Sequence, residues 1–398
     1  MTSPFALDFS AAAVIADPYP SYRYLQQHDP VHRSAGGIWY LTRHADVARA
    51  LTDARLCRQS PGGLNPLSDQ SPVESTAETF INRWVVFLDP PDHTRLHKLL
   101  SRHFTPQLFA ALRPRIETFA AELIDAAIDR GRMDVIDDFA YPLPVRVVAA
   151  LLGVPDTDLA LFRAWAEVLT QAVNDGDAAR IAAASPTVQA MADYFEEQLR
   201  RPAPLDGMLG VLAHAEASEG LSHHDVVATC IFLLWAGHET TKILIGNCLY
   251  LLIEHPEQQA LLRGNPGLID SAVEECLRYE SPVQKISRWT RESCEYSGVT
   301  IPANQLVVNL FGAANRDPRR FQNPDRFDIA RTPNRHLGFG KGIHHCLGAL
   351  LARSEARIAI NAVLQRCATL EPLVASVQWR PLTALRSFES LPVALRPF

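Results

Sequence analysis

The residues best suited to chemistry in this chain lie in one run, Phe339-Gly340-Lys341-Gly342-Ile343-His344-His345-Cys346-Leu347-Gly348. Apolar residues recur at helical spacing after it, which predicts a helix from about Leu347 to Arg366 and puts Cys346 at its mouth. The free N–H groups and positive dipole end of such a helix favour a thiolate over a thiol. Gly340, Gly342 and Gly348 permit unusual dihedrals and close backbone approach to a flat ligand. Two other readings compete: an inert cysteine in a glycine-rich turn, and a zinc site built from His336, His344, His345 and Cys346. The zinc reading lacks the second cysteine pair that such sites usually carry.

Three further segments carry unusual combinations. Ala236-Gly237-His238-Glu239-Thr240-Thr241 sits inside an otherwise apolar helical stretch. A buried acid beside an alcohol is costly without partners, and hydroxyls that compete for backbone carbonyls predict a local opening of the helix. The alternative is a carboxylate satisfied by structural hydrogen bonds. Glu275-Cys276-Leu277-Arg278 places an acid and a base on one helix face. Asp89-Pro90-Pro91-Asp92-His93-Thr94-Arg95-Leu96-His97 opens another helix, with two histidines four residues apart.

These segments need elements to hold them. Helices are predicted over 44–53, 106–130 (behind Thr105-Pro106, a cap and first-turn pair), 142–153, 156–173, 179–200 and 222–254, then from Pro256 and over 268–280. The helix over 222–254 is apolar all round between Val226 and Trp235, as a buried helix is. Strand-like composition marks about 31–42, 283–312 and 377–398. The fold class is therefore mainly α with a smaller β region, and the absence of a linker or repeat suggests one domain over 1–398.

Composition narrows the function. The 398 residues carry a net charge of −6, which gives no reason to expect nucleic-acid binding. The seven cysteines are scattered, odd in number and without a Cys-x-x-Cys pair, which suits a reducing compartment. With no signal-like N-terminus and no apolar run of about 18 residues, the expectation is a cytoplasmic, monomeric protein away from the membrane.

Together, in this order, the four motifs resemble those of the cytochrome P-450 family, soluble bacterial class, and the resemblance spans nearly the whole chain. It implies a triangular helical prism with haem b between the long helix and the cysteine helix. Cys346 would be the axial iron ligand, in a loop with Phe339, Gly340 and Gly348, and Ala236 would line the haem. His93, His97, Arg288 and His344 would face the propionates, although the family usually has arginine where this chain has His97. A histidine there donates a hydrogen bond but lacks arginine's permanent charge. Glu239 and Thr240 would be proton relay and hydrogen-bond donor in oxygen activation. Glu275, Arg278 and Arg326 would form a structural ion network.

The implied reaction is monooxygenation, inserting one atom of O2 into a small molecule by hydroxylation or epoxidation. Electrons would come ultimately from NAD(P)H through a separate ferredoxin or flavodoxin, and Lys98, Arg102 and Lys341 are candidates for its docking face. Substrate contacts would come from the loop around 60–87 with Phe87, from Phe232, Trp235 and Ala236, from Val283 and Ile286, and from Phe388. Their apolar character suggests a lipophilic secondary metabolite. Ring coupling or desaturation uses the same parts and stays open. A peroxide-driven peroxygenase would not need Glu239-Thr240, and a non-catalytic haem carrier would need neither relay nor thiolate.

Overall fold

A computed structural model describes residues 8–60, 75–174, 177–202 and 204–398. Its organising element is a helix of 32 residues, His223–Glu254, capped by the Ser222 hydroxyl accepting from the Asp225 N–H. Most of its residues are buried, because helices Pro142–Leu152, Leu159–Asn174, Ser185–Leu199, Ile269–Tyr279 and Ala349–Arg366 surround it. Contact with Pro142–Leu152 is close enough that a Cβ on Gly237 would meet Val148 Cγ2 at 2.7 Å.

The helix-forming signals read from the sequence mark the real ends. Pro106–Arg130 begins with the Thr105 hydroxyl accepting from the Leu108 N–H, and it ends at Gly131 in the left-handed region. A hydroxyl cap and a glycine stop are what unsatisfied helix termini require. The helix expected over 179–200 is two helices, Ala178–Ala183 and Ser185–Leu199, because Pro186 opens a new first turn. Phe311–Ala314 is a helical turn at the end of the stretch expected to be strands, and Val135–Ala140 is a π-helical turn. The opening expected at Gly237-Thr241 does not occur. The hydroxyls of Thr240 and Thr241 bond back to the Ala236 and Gly237 carbonyls, each at 3.2 Å, and the helix continues.

Strands Val31–Arg33, Trp39–Leu41, Leu306–Leu310, Lys285–Thr290 and Leu56–Cys57 form one sheet, in that spatial order. Only the Trp39–Leu41 and Leu306–Leu310 pair is parallel. Leu56 pairs with Thr290 and Cys57 with Trp289, so the chain leaves the sheet beside Arg288. A second sheet joins Arg132–Asp134, Pro392–Pro397 and Cys367–Pro372. Among the described residues, no helix is long and apolar enough to cross a membrane.

Candidate functional site

Cys346 is the one exposed cysteine of the seven. Its N–H donates to the Phe339 carbonyl at 3.0 Å, which closes the loop on itself just before the Ala349–Arg366 helix. Gly340 and Gly342 have φ of 69° and 76°, and a Cβ at 342 would meet the Leu51 carbonyl oxygen at 2.7 Å, so the turn requires glycine there. Although Cys346 is exposed, the surrounding protein desolvates its thiol enough to push it up, partly offset by the Gly348 N–H and the Arg353 charge. A cation bound at the sulfur would favour the thiolate. Among the described residues, no three His, Cys, Asp or Glu side chains cluster as a metal-ligand set, so the zinc reading has no ligands.

Along the central helix, Phe232, Trp235, Ala236, Gly237 and Thr240 are only half-buried, while their neighbours are buried. Phe232, Ala236 and Thr240 follow one another at steps of four and mark the open face of this helix. Glu239 lies off that stripe. Its Oε1 accepts from Lys242 Nζ at 2.6 Å, and the pair lines a cavity of about 520 Å³ with Tyr141, Arg163, Glu167 and Arg380. Among the described residues, no direct hydrogen bond joins Glu239 to Thr240. His238, wholly buried, has its pKa lowered by desolvation, and its Nε2 lies 3.9 Å from Glu239 Oε2.

Aromatic residues meet near the upper part of this face. Trp84 stacks on Phe87 at 6.0 Å and on Trp235 at 5.2 Å between centroids, and it touches Phe232 at 5.5 Å. Trp235 Nε1 donates to the Thr170 hydroxyl at 3.0 Å. Val283, two residues before the Lys285–Thr290 strand, and Ile286, its second residue, are half-buried. Phe388 is buried, packs against Tyr250 and Trp379 beside Gly246, and is one of the residues lining the cavity of Glu239 and Lys242. Residues 61–74, part of the expected substrate loop, lie outside the described residues.

The Asp92–Ser101 helix brings His93 and His97 beside the cysteine loop. The His93 ring lies 5.1 Å from that of His97 and 4.1 Å from that of His344. Both ring nitrogens of His93 and Nε2 of His97 are buried without a partner among the described residues. Burial, then the neighbouring His97, pushes the His93 pKa down to about 4. Burial, then the Arg288 charge, pushes His344 down to about 2. Arg288 is itself buried and held well below the usual arginine range by desolvation and by Arg58. Buried donors without acceptors mark a place where a ligand supplies them. A ligand carrying two carboxylates would fit this donor set beside the cysteine loop, and haem carries such a pair.

The ion network differs from its expected membership. Glu275 and Arg278 pair as expected, with Arg278 Nε and Nη2 donating to the carboxylate at 2.8 Å. The second guanidinium on Glu275 is that of Arg331, whose Nε lies 3.1 Å from both oxygens. Arg326 points its side chain outward and supplies only its carbonyl, to Arg278 and Arg331. Asn334 and the Asp328 N–H complete the set. Arg331 gives no local signal in the sequence, since 56 residues separate it from its partner.

The sequence pattern of the family described as "Cytochrome P450" matches residues 157–265 and 267–378. The chain is 41% identical over 394 residues to a biotin biosynthesis cytochrome P450 of Bacillus subtilis (strain 168), covering 96% of this chain and 98% of that protein. It is 37% identical over 409 residues to the cytochrome P450 monooxygenase PikC of Streptomyces venezuelae, covering 99% and 95%. The crystal structure of P450BioI in complex with a hexadec-9Z-enoic acid-ligated acyl carrier protein superposes with a TM-score of 0.89 at 39% identity, covering 97% of this chain and 99% of that one.

Fold and sequence thus define a haem-thiolate oxidoreductase. The chain belongs to the cytochrome P450 family, with haem b as its cofactor and monooxygenation as its kind of chemistry.

Proposed function

We propose that the chain inserts one oxygen atom from O2 into a lipophilic small molecule, by hydroxylation or epoxidation, in secondary metabolism. The observation that carries this reading is the exposed Cys346 in a glycine-closed loop, with His93 and His97 nitrogens nearby that are buried without a partner among the described residues. Haem, when bound, supplies the oxygen-activating and redox chemistry. Cys346 holds the iron, and His93, His97, Arg288 and His344 hold the propionates. The half-buried stripe of Phe232, Ala236 and Thr240 walls the reaction space with Trp84, Phe87 and Trp235. Thr240 donates a hydrogen bond there, and Glu239 passes protons from the cavity it lines with Lys242.

Support for a lipophilic substrate comes from these aromatic walls and from the fatty-acyl cargo carried to P450BioI. Electrons arrive from a separate ferredoxin or flavodoxin that docks on the cysteine side, near Lys98, Arg102 and Lys341. The protein works as a cytoplasmic monomer, with residues 1–398 forming one haem domain. Replacing Cys346 by Ala is expected to abolish the thiolate-type spectrum of the reduced carbon monoxide complex. Persistence of that spectrum refutes the ligand assignment. A library of lipophilic compounds, screened by haem spin-state shift and followed by product analysis, then identifies the substrate class.

A further inference from the structure

We propose that Arg58 is a propionate-binding arginine, supplying from a sheet edge the permanent charge that the helix lacks because it carries histidine at position 97. This rests on the reading of His93, His97, Arg288 and His344 as the propionate cradle.

The sheet register is the first observation. Leu56 pairs with Thr290 and Cys57 with Trp289 in antiparallel fashion, so the next position, Arg58, falls opposite Arg288. The two guanidinium groups converge on one acceptor: Nη1 of each donates to the Ser287 carbonyl, at 2.5 Å from Arg58 and 3.0 Å from Arg288. Arg58 is 5% exposed and Arg288 4%. Like charges opposite each other across a strand pair are unfavourable, and removing both from water makes them more so.

The nearest carboxylate does not resolve this. Asp89 accepts from the backbone N–H groups of Arg58 and Gln59 at 2.9 Å and from Arg291 Nη2 at 3.2 Å. Its single charge supports both guanidinium groups, but it is shared with Arg291, and among the described residues it accepts no side-chain hydrogen bond from Arg58 or Arg288, so the cations stay in surplus. The Arg58 head is meanwhile fixed, with Nε on the Val86 carbonyl at 2.8 Å and its carbon 4.8 Å from the Phe87 ring centroid. Desolvation pushes the Arg58 pKa down to about 10, so the group is still cationic at neutral pH. Two fixed buried arginines match two carboxylates in charge, and the three histidines then serve as neutral donors.

A structural role, in which Arg58 only ties the strand end to Val86 and Ser287, predicts a different outcome, and haem retention separates the two. Haem release from the purified ferric holoprotein to excess apomyoglobin is measured for wild type, Arg58→Gln, Arg58→Lys, Arg288→Gln, His97→Arg and the double variant Arg58→Gln/His97→Arg. Thermal unfolding is followed in parallel after haem is stripped. Arg58→Gln is expected to release haem about tenfold faster, as loss of a charge-assisted hydrogen bond implies. Arg58→Lys, which keeps the charge, is expected to fall between that variant and wild type. Adding His97→Arg is expected to restore retention.

Wild-type release from Arg58→Gln together with fast release from Arg288→Gln removes Arg58 from the cradle and leaves the cradle intact. Wild-type release from both removes the cradle reading itself. Fast release from Arg58→Gln that His97→Arg does not rescue, with a lowered unfolding temperature of the stripped protein, assigns Arg58 a purely structural role and overturns the proposal.

Discussion

Two buried clusters of cations in this protein invite comparison. Around Glu275, all five N–H groups of Arg278 find acceptors: the carboxylate and the carbonyls of Asn315, Pro324 and Arg326. Around His93, donors of comparable burial find none within the described protein, and two arginines share one carbonyl. The first cluster is complete as folded, and the second is complete only with a ligand. Burial alone therefore does not separate a structural network from a binding site. Between these two clusters, the count of satisfied donors does.

The largest expected contrast is between removing an acid from the first cluster and a cation from the second. Glu275→Ala strands the buried guanidinium of Arg278 and the half-buried one of Arg331, and is expected to cost about 3–5 kcal/mol of stability. Chemical denaturation should find that loss with or without haem. Arg288→Met does the opposite in the haem-free protein. It removes a buried charge that only the shared Asp89 offsets, so stability there is expected to hold or to rise by about 1 kcal/mol, while haem retention falls. Loss of stability in the haem-free form would erase the distinction between the clusters.

A pH titration gives the next effect. The His93 pKa is lowered in the folded protein to about 4, from 6.5. The unfolded chain therefore takes up this proton first as pH falls. Stability contributed by neutral His93 is present above about pH 6.5 and is lost between there and about pH 4, at up to about 1.4 kcal/mol per unit. Haem-free protein followed by denaturation across that window should show the decline, and His93→Gln should make it shallower, the remainder coming from His97, His238 and His344, which burial also lowers. The smallest effect separates two arginines. Arg326→Ala is expected to change stability by less than about 0.5 kcal/mol, as an exposed side chain does. Arg331→Ala, which opens the carboxylate, should cost several times more.

What the sequence revealed follows the range of the interactions. Thr105-Pro106 and Gly131 bound their helix through contacts a few residues long, so its limits were legible. The pairing of Glu275 with Arg278 was legible for the same reason. Arg331 and Arg58 act on partners that only the fold brings near, and neither has a local spacing to betray it. The break at Ala184 could have been seen, since Ser185-Pro186 is a first-turn signature. The helix opening expected at Thr240 failed because a hydroxyl can share the i−4 carbonyl without displacing the ladder bond.

The tight seam between Gly237 and Val148 bears on redesign of this enzyme. Adjacent positions on the central helix have unequal freedom: bulk added at 236 projects into the half-open face, whereas a single methyl group at 237 collides with the helix behind. Efforts to retune selectivity should enlarge or trim the 232–236–240 row and leave 237 alone. A change at 237 would require Val148 or the seam between the two helices to shift.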